Sequence, residues 1–119
     1  NMINYKLDIK DLKTLNTEYN IIKITKKNFI ENKNFIKKSI YYFNYEIKWD
    51  NMFNIFDSYN RLCNNETMYI LVFDNDSFGH VWFKDYKEGK MLYNLFIRNK
   101  NVIKKCKGKE FLSDIFNRF

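Results

Sequence analysis

One histidine, His80, two cysteines, Cys63 and Cys106, and a run of cations between residues 98 and 109 are the groups of this sequence whose chemistry goes beyond packing. His80 sits in the apolar stretch "FGHVWF". An unperturbed imidazole titrates near neutral pH and can serve as a general base, but a lone histidine in a strand is more often a hydrogen-bonded or half-exposed residue. Tyr93 and Asn94, in "MLYNLFI", also belong to a strand. Side chains alternate along a strand, so one of the two could face an acceptor while the other packs. Cys106 lies in a basic loop just before a helix, where a thiol pKa should fall. No base is paired with it, which makes a reactive, non-catalytic thiol the expectation. The cysteines show no CxxC or Cys/His spacing, and neither a zinc site nor a disulfide framework is signalled. Asp74 and Asp76 flank a turn and read as hairpin chemistry rather than as a metal or acid/base pair.

The cations are concentrated. Arg98, Lys100, Lys104, Lys105, Lys107 and Lys109 share the window 98–109 with no acid, which gives it a charge of +6 out of +7 for the whole chain. The composition has no Ala, Pro or Gln and only three Gly, with an excess of Asn, Lys, Ile, Phe and Tyr. These are residues of AT-rich codons. A uniform codon bias explains a high lysine content but not a local field, for which a solvated loop is the plain alternative.

The chain has 119 residues, 45% hydrophobic and 19% aromatic, with 12 Phe and 9 Tyr. That suits one domain with a single core and argues against disorder. No run reaches the roughly 18 uncharged apolar residues of a bilayer span, and the first 20 residues carry no signal-type apolar stretch. The expectation is a soluble, cytoplasmic protein with reduced thiols and no membrane partner.

Periodicity supplies the elements. Residues 1–18 mix strand alternation at Tyr5, Leu7 and Ile9 with a helical step at Leu12 and Leu15, and are set aside as an N-terminal extension. "YNIIKIT" (19–25) predicts a strand, and "KKNFIEN" turns the chain. Ile36, Ile40, Phe43 and Ile47 place one apolar face on a helix over 34–47. Asp50 is read as the N-cap of a second helix with the stripe Met52, Ile55, Phe56, Tyr59, Leu62 and Cys63. Three apolar runs, "MYILVF" (68–73), "FGHVWF" (78–83) and "MLYNLFI" (91–97), are joined by "DNDS" and "KEG", which predicts an antiparallel meander. Strands apolar at most positions need cover on both faces. Trp49 and Trp82 are assigned to the core. After Gly108 the stripe Phe111, Leu112, Ile115, Phe116 and Phe119 predicts a helix docked on the sheet. The fold class is α+β, with order β-α-α-β-β-β-α, a mainly antiparallel sheet and helices on both faces.

A strand that runs through a basic loop into a helix N-terminus presents unpaired amides and the positive end of the helix dipole. Both favour a phosphate or pyrophosphate.

The element order resembles the N-terminal two-thirds of the GCN5-related N-acetyltransferase (GNAT) fold over about residues 19–119. "NIIKITKKNFIEN" is similar to that family's first strand and the approach to its first helix, "FGHVWF" resembles its third strand with the early glycine, and "LYNLFIRNKN" resembles its fourth. The family's pyrophosphate signature is Arg/Gln-x-x-Gly-x-Gly/Ala followed by paired apolar residues. With Gly108 on the final glycine, Phe111 and Leu112 take the apolar pair, while Ile103 and Cys106 stand where Arg or Gln and the first glycine are usual. The alternative frame would put Ser113 and Asp114 on that pair and is rejected. The domain is then a single GNAT-like unit, residues 19–119, that stops after the phosphate-loop helix and before the family's fifth strand and its helical tyrosine.

The resemblance implies acetyl-coenzyme A as cofactor. Its acetyl and pantetheine arm would align on the backbone of Leu95, Phe96 and Ile97, and its pyrophosphate would rest on the amides of Lys104, Lys105, Cys106, Lys107, Gly108 and Lys109. His80, Tyr93 and Asn94 are the candidate catalytic side chains for transfer to an amine on a small molecule or protein. Two other functions stay open. One is an inactive binding or inhibitory module whose exposed fourth strand pairs with a second copy or a partner strand. The other, less favoured, is a small basic nucleic-acid-binding domain with stacking tyrosines.

Overall fold

The computed structural model describes residues 19–47, 54–98 and 108–119. In chain order they form β1 (Asn20–Ile24), α1 (Lys33–Ile47), α2 (Ile55–Cys63), β2 (Glu66–Phe73), β3 (Asp76–Tyr86), β4 (Gly89–Ile97) and α3 (Gly108–Arg118). This is the predicted α+β order. The sheet is four-stranded, in the order β1-β2-β3-β4, and antiparallel at every pairing. No helix among the described residues is long and apolar enough to cross a membrane. Residues 1–18, Trp49, Asp50, Met52 and the loop cations from Lys100 to Lys107 lie outside the described residues.

Alternation along the strands splits the core into two layers. Met68, Ile70, Val72 and Trp82 pack on one face against Ile36 and Ile40 of α1 and Leu62 of α2. Tyr69, Leu71, Val81 and Phe83 pack on the other against Phe111, Leu112 and Ile115 of α3. Helices therefore cover both faces, as strands apolar on both sides require.

Local chemistry explains the boundaries. The Thr25 N–H donates to Asn28 Oδ1 at 2.7 Å and the Asn28 N–H to Thr25 Oγ1 at 3.2 Å. This reciprocal pair stabilises the turn that leads into α1. The second helix starts later than the sequence suggests. Its N-cap is Asn54 rather than Asp50: backbone in the β region, with Oδ1 accepting from the Asp57 N–H at 2.9 Å. Only part of its expected stripe is core. Leu62 is buried and Tyr59 is exposed but packs edge-to-face on Phe29, whereas Cys63 is an exposed free thiol.

Both hairpins turn in two residues. Asp74 and Asn75 have φ of 49° and 61°, the left-handed pair of a type I′ turn, which small polar residues tolerate. Lys87 and Glu88 connect β3 to β4, with Gly89 at φ 147°. In α3, Phe111, Leu112 and Ile115 are buried as expected, and so are Ser113 and Asp114. Phe116 and Phe119 are exposed, although their rings touch Phe83 and Tyr69.

Candidate functional site

Two irregularities in the ladder shape the end of the sheet. Leu71 pairs with Gly79 but Val72 with Ser77, so Phe78 is an extra residue on β3. Trp82 pairs with Asn94 but Phe83 with Leu92, so Tyr93 is an extra residue on β4. A bulge places two successive side chains on the same side of the sheet. Tyr93 and Asn94 consequently both lie on the α1/α2 side, with Leu92 and Leu95 on the α3 side. Strict alternation had allowed only one of the pair to face that way.

Half-buried Asn94 joins buried His80 and Ser39 in a hydrogen-bonded chain. His80 is 1% exposed, with Nε2 2.6 Å from Asn94 Oδ1 and Nδ1 2.6 Å from Ser39 Oγ. An amide oxygen only accepts, so Nε2 carries the ring proton and Nδ1 accepts from the Ser39 hydroxyl. Burial drives the His80 pKa down to about 4, against a smaller upward pull from Asn94. The imidazole is neutral at physiological pH and both its nitrogens are engaged. It has the order of a nucleophilic triad, but Ser39 is also 1% exposed, and a substrate has no access to it. The chain works as a tie between α1, β3 and β4.

Sequence reasoning found His80 and Asn94 but missed Ser39. The signal was present: three apolar surfaces each carry one small polar group, and buried polar groups must find one another.

Tyr93 has a different setting. It is half-buried, and the Arg61 guanidinium stacks 4.4 Å from its ring centroid. Arg61 Nη2 donates to Tyr93 Oη at 3.0 Å, and Nη1 to Glu66 Oε1 at 3.0 Å. Burial alone would lower the Arg61 pKa, but the Tyr93 and Glu66 partners raise it above its usual value. With Oη accepting from a permanent cation, the phenolic hydrogen remains available to a third group.

The free edge of β4 lies beside these residues. Among the described residues β4 has β3 on one side and no strand on the other. The Arg98 N–H donates to Phe78 O at 2.7 Å. By the alternation of an antiparallel ladder, Phe96 and Asn94 then direct their backbone groups at β3, and Leu95 and Ile97 direct theirs outward. Gly79 makes this approach feasible, since a Cβ there would stand 2.4 Å from the Phe96 carbonyl oxygen.

Past Ile97 the chain is anchored by Arg98. Its guanidinium lies 3.4 Å from the Tyr42 ring centroid and donates to Asp76 and to the Ser77 carbonyl, both at 3.1 Å. Burial pushes the Asp76 carboxyl up, but donors from Arg98, the Ser77 N–H and Lys38 outweigh this and hold it below the ordinary value. Asp76 is thus an ion-pair partner, and among the described residues no group of three His, Cys, Asp or Glu suits a metal ion.

Of the residues expected to contact a cofactor, Leu95, Phe96 and Ile97 form the end of β4, while Gly108 and Lys109 are the first two residues of α3. Lys104, Lys105, Cys106 and Lys107 lie outside the described residues. The structure brings Tyr93 and Asn94 to one face in the middle of β4 and binds His80 to Asn94. No protein-family model matches the chain, and no curated protein matches it.

Proposed function

We propose that this chain is a GNAT-like domain that binds acetyl-coenzyme A and transfers its acetyl group to an amine. The observation that carries the reading is the edge of β4, unpaired among the described residues, with outward backbone groups at Leu95 and Ile97, on a sheet whose next described element is α3 on the face opposite α1 and α2. An extended acyl-pantetheine arm can hydrogen-bond to such an edge as a strand would. An outward amide beside the thioester carbonyl would stabilise the oxyanion that forms on attack.

In this reading the amine nitrogen attacks the carbonyl carbon, a C–N bond replaces the C–S bond, and the proton lost by nitrogen ends on the thiolate. Tyr93 is the group we assign to that proton path, because Arg61 occupies its oxygen and leaves its hydrogen free. His80 holds Asn94 in place and has no part in proton transfer. The loop Lys104–Lys107 and the start of α3 at Gly108 would hold the pyrophosphate.

A second reading rests on the same edge. From Met91 to Ile97 the strand has no charged residue, and Leu92, Tyr93, Leu95 and Ile97 are only half-buried. An apolar edge of this kind also suits pairing with a strand of another chain.

Calorimetric titration of acetyl-coenzyme A, with desulfo-coenzyme A as comparison, separates the two. Saturable 1:1 binding of both, weakened by Gly108→Glu, is expected. No binding of either by a chain that circular dichroism shows to be folded would overturn the acetyltransferase reading in favour of strand pairing.

A further inference from the structure

The outer face of α1 is a second surface with its own chemistry. Ile36, Ser39, Ile40 and Phe43 turn inward and are buried. Tyr41 and Tyr45, one turn apart, turn outward and are 63% and 69% exposed. Their rings are nearly parallel, 15° apart with centroids at 6.4 Å, and Tyr42 meets Tyr41 edge-on at 5.3 Å. Two large aromatic rings held in parallel in water gain little from folding. A third flat ring could stack on them without any rearrangement.

The charge around the rings is positive. Lys37 and Lys38 occupy the preceding turn of the same helix and are exposed. Arg98 stacks on Tyr42. Two carboxylates lie among them: Asp76, paired with Lys38 at 3.3 Å and Arg98 at 3.1 Å, and Glu31, which lines one recess with Lys37 and Lys38. Three cations against two carboxylates leave a small net positive charge beside the aromatic pair. Glu46, the one acid of α1, follows Tyr45 and marks the C-terminal limit of the platform.

We infer that the Tyr41–Tyr45 face of α1 binds single-stranded nucleic acid, its bases stacking on the two tyrosines and its phosphates meeting Lys37, Lys38 and Arg98. Parallel exposed aromatics within a cationic surface are the elements of a sequence-tolerant single-strand site. A protein partner would be served by aliphatic side chains on this face, and the outward stripe Asn34, Lys37, Lys38, Tyr41, Tyr45 has none. The inference is independent of coenzyme binding, since its aromatic pair and both lysines lie on α1, and only Arg98 adjoins the end of β4. It rests on the aromatic pair rather than on the total charge, most of which lies in the window 98–109.

The test is fluorescence anisotropy of a labelled oligothymidylate of about 15 nucleotides with the full chain at low salt, run against the same length of duplex. The single strand should bind more tightly than the duplex, and its affinity should fall with salt at a logarithmic slope of about −1.5 to −2. Tyr41→Ala with Tyr45→Ala should weaken binding at least about 10-fold at an unchanged thermal midpoint, while Tyr41→Phe with Tyr45→Phe keeps it. Both positions are exposed, so neither pair of changes threatens the fold. Unchanged binding by the alanine pair, or no binding by the parent chain, would overturn the inference. Self-association of the parent chain in sedimentation, lost in the alanine pair and with no oligonucleotide binding by either, would reassign the face to a second copy.

Discussion

His80 illustrates how burial decides what a residue does. Its ring is the only imidazole of the chain, and it is withdrawn from solvent between Phe43 and Phe96, with centroids at 5.5 and 5.6 Å. Its pKa is held at about 4 in the folded state against 6.5 ordinarily, because burial disfavours the charged ring. The unfolded chain therefore takes up a proton that the folded chain refuses. Stability from this site is complete above about pH 6.5, falls as the pH drops toward 4, and levels off below, for a total of about 3 kcal/mol. Between pH 7 and 5.5 carboxylates contribute little, and the expected loss is about 1 kcal/mol. Urea denaturation across that window should show it in the parent chain and not in His80→Gln. A parent chain equally stable at both pH values would mean that the imidazole is not buried neutral. The sequence placed His80 on β3 but left its role open, because its partners come from elements 41 residues earlier and 14 later.

At the scale of elements, the strands meet through close backbone approach rather than through side chains alone. Gly79 is the sharpest case: a methyl group there would collide with the Phe96 carbonyl at 2.4 Å and sit 3.3 Å from the Ile97 Cα. Backbone atoms in a ladder have no rotamer to escape into. Gly79→Ala should force β3 and β4 apart where the candidate cofactor edge ends, at a cost of about 1–3 kcal/mol measured by urea denaturation. An unchanged midpoint would contradict the described β3–β4 register. The elements themselves were legible, because apolar periodicity at two and at 3.6 residues is written into "MYILVF", "MLYNLFI" and the stripe Ile36, Ile40, Phe43. The bulges at Phe78 and Tyr93 were not. A bulge adds one residue to one strand of a pair, and only the pairing reveals it. For that reason Tyr93 and Asn94 were read as alternatives when they share a face. The Asn54 cap was missed because Asp50 offered the same chemistry four residues earlier.

For the whole molecule, a two-layered core is joined to a sheet with two edges, β1 and β4, neither of which has a further strand among the described residues. The faces of the sheet are closed by α1 and α2 on one side and α3 on the other, and β1 ends the sheet with the exposed residues Asn20 and Lys23. In β4 the exposed cation is Lys90 at its start, and from Met91 to Ile97 no charged residue protects the edge. The sequence could indicate that edge only through resemblance, since edge position is a property of pairing and not of composition. The most direct test is a pair of proton–nitrogen correlation spectra of the labelled chain, recorded without and with saturating acetyl-coenzyme A. The largest amide shifts are expected at Leu95 and Ile97, with Phe96, turned toward β3, moving less and Tyr41 and Tyr45 staying in place. Spectra that do not change, or changes that spare β4, would contradict cofactor binding at this edge.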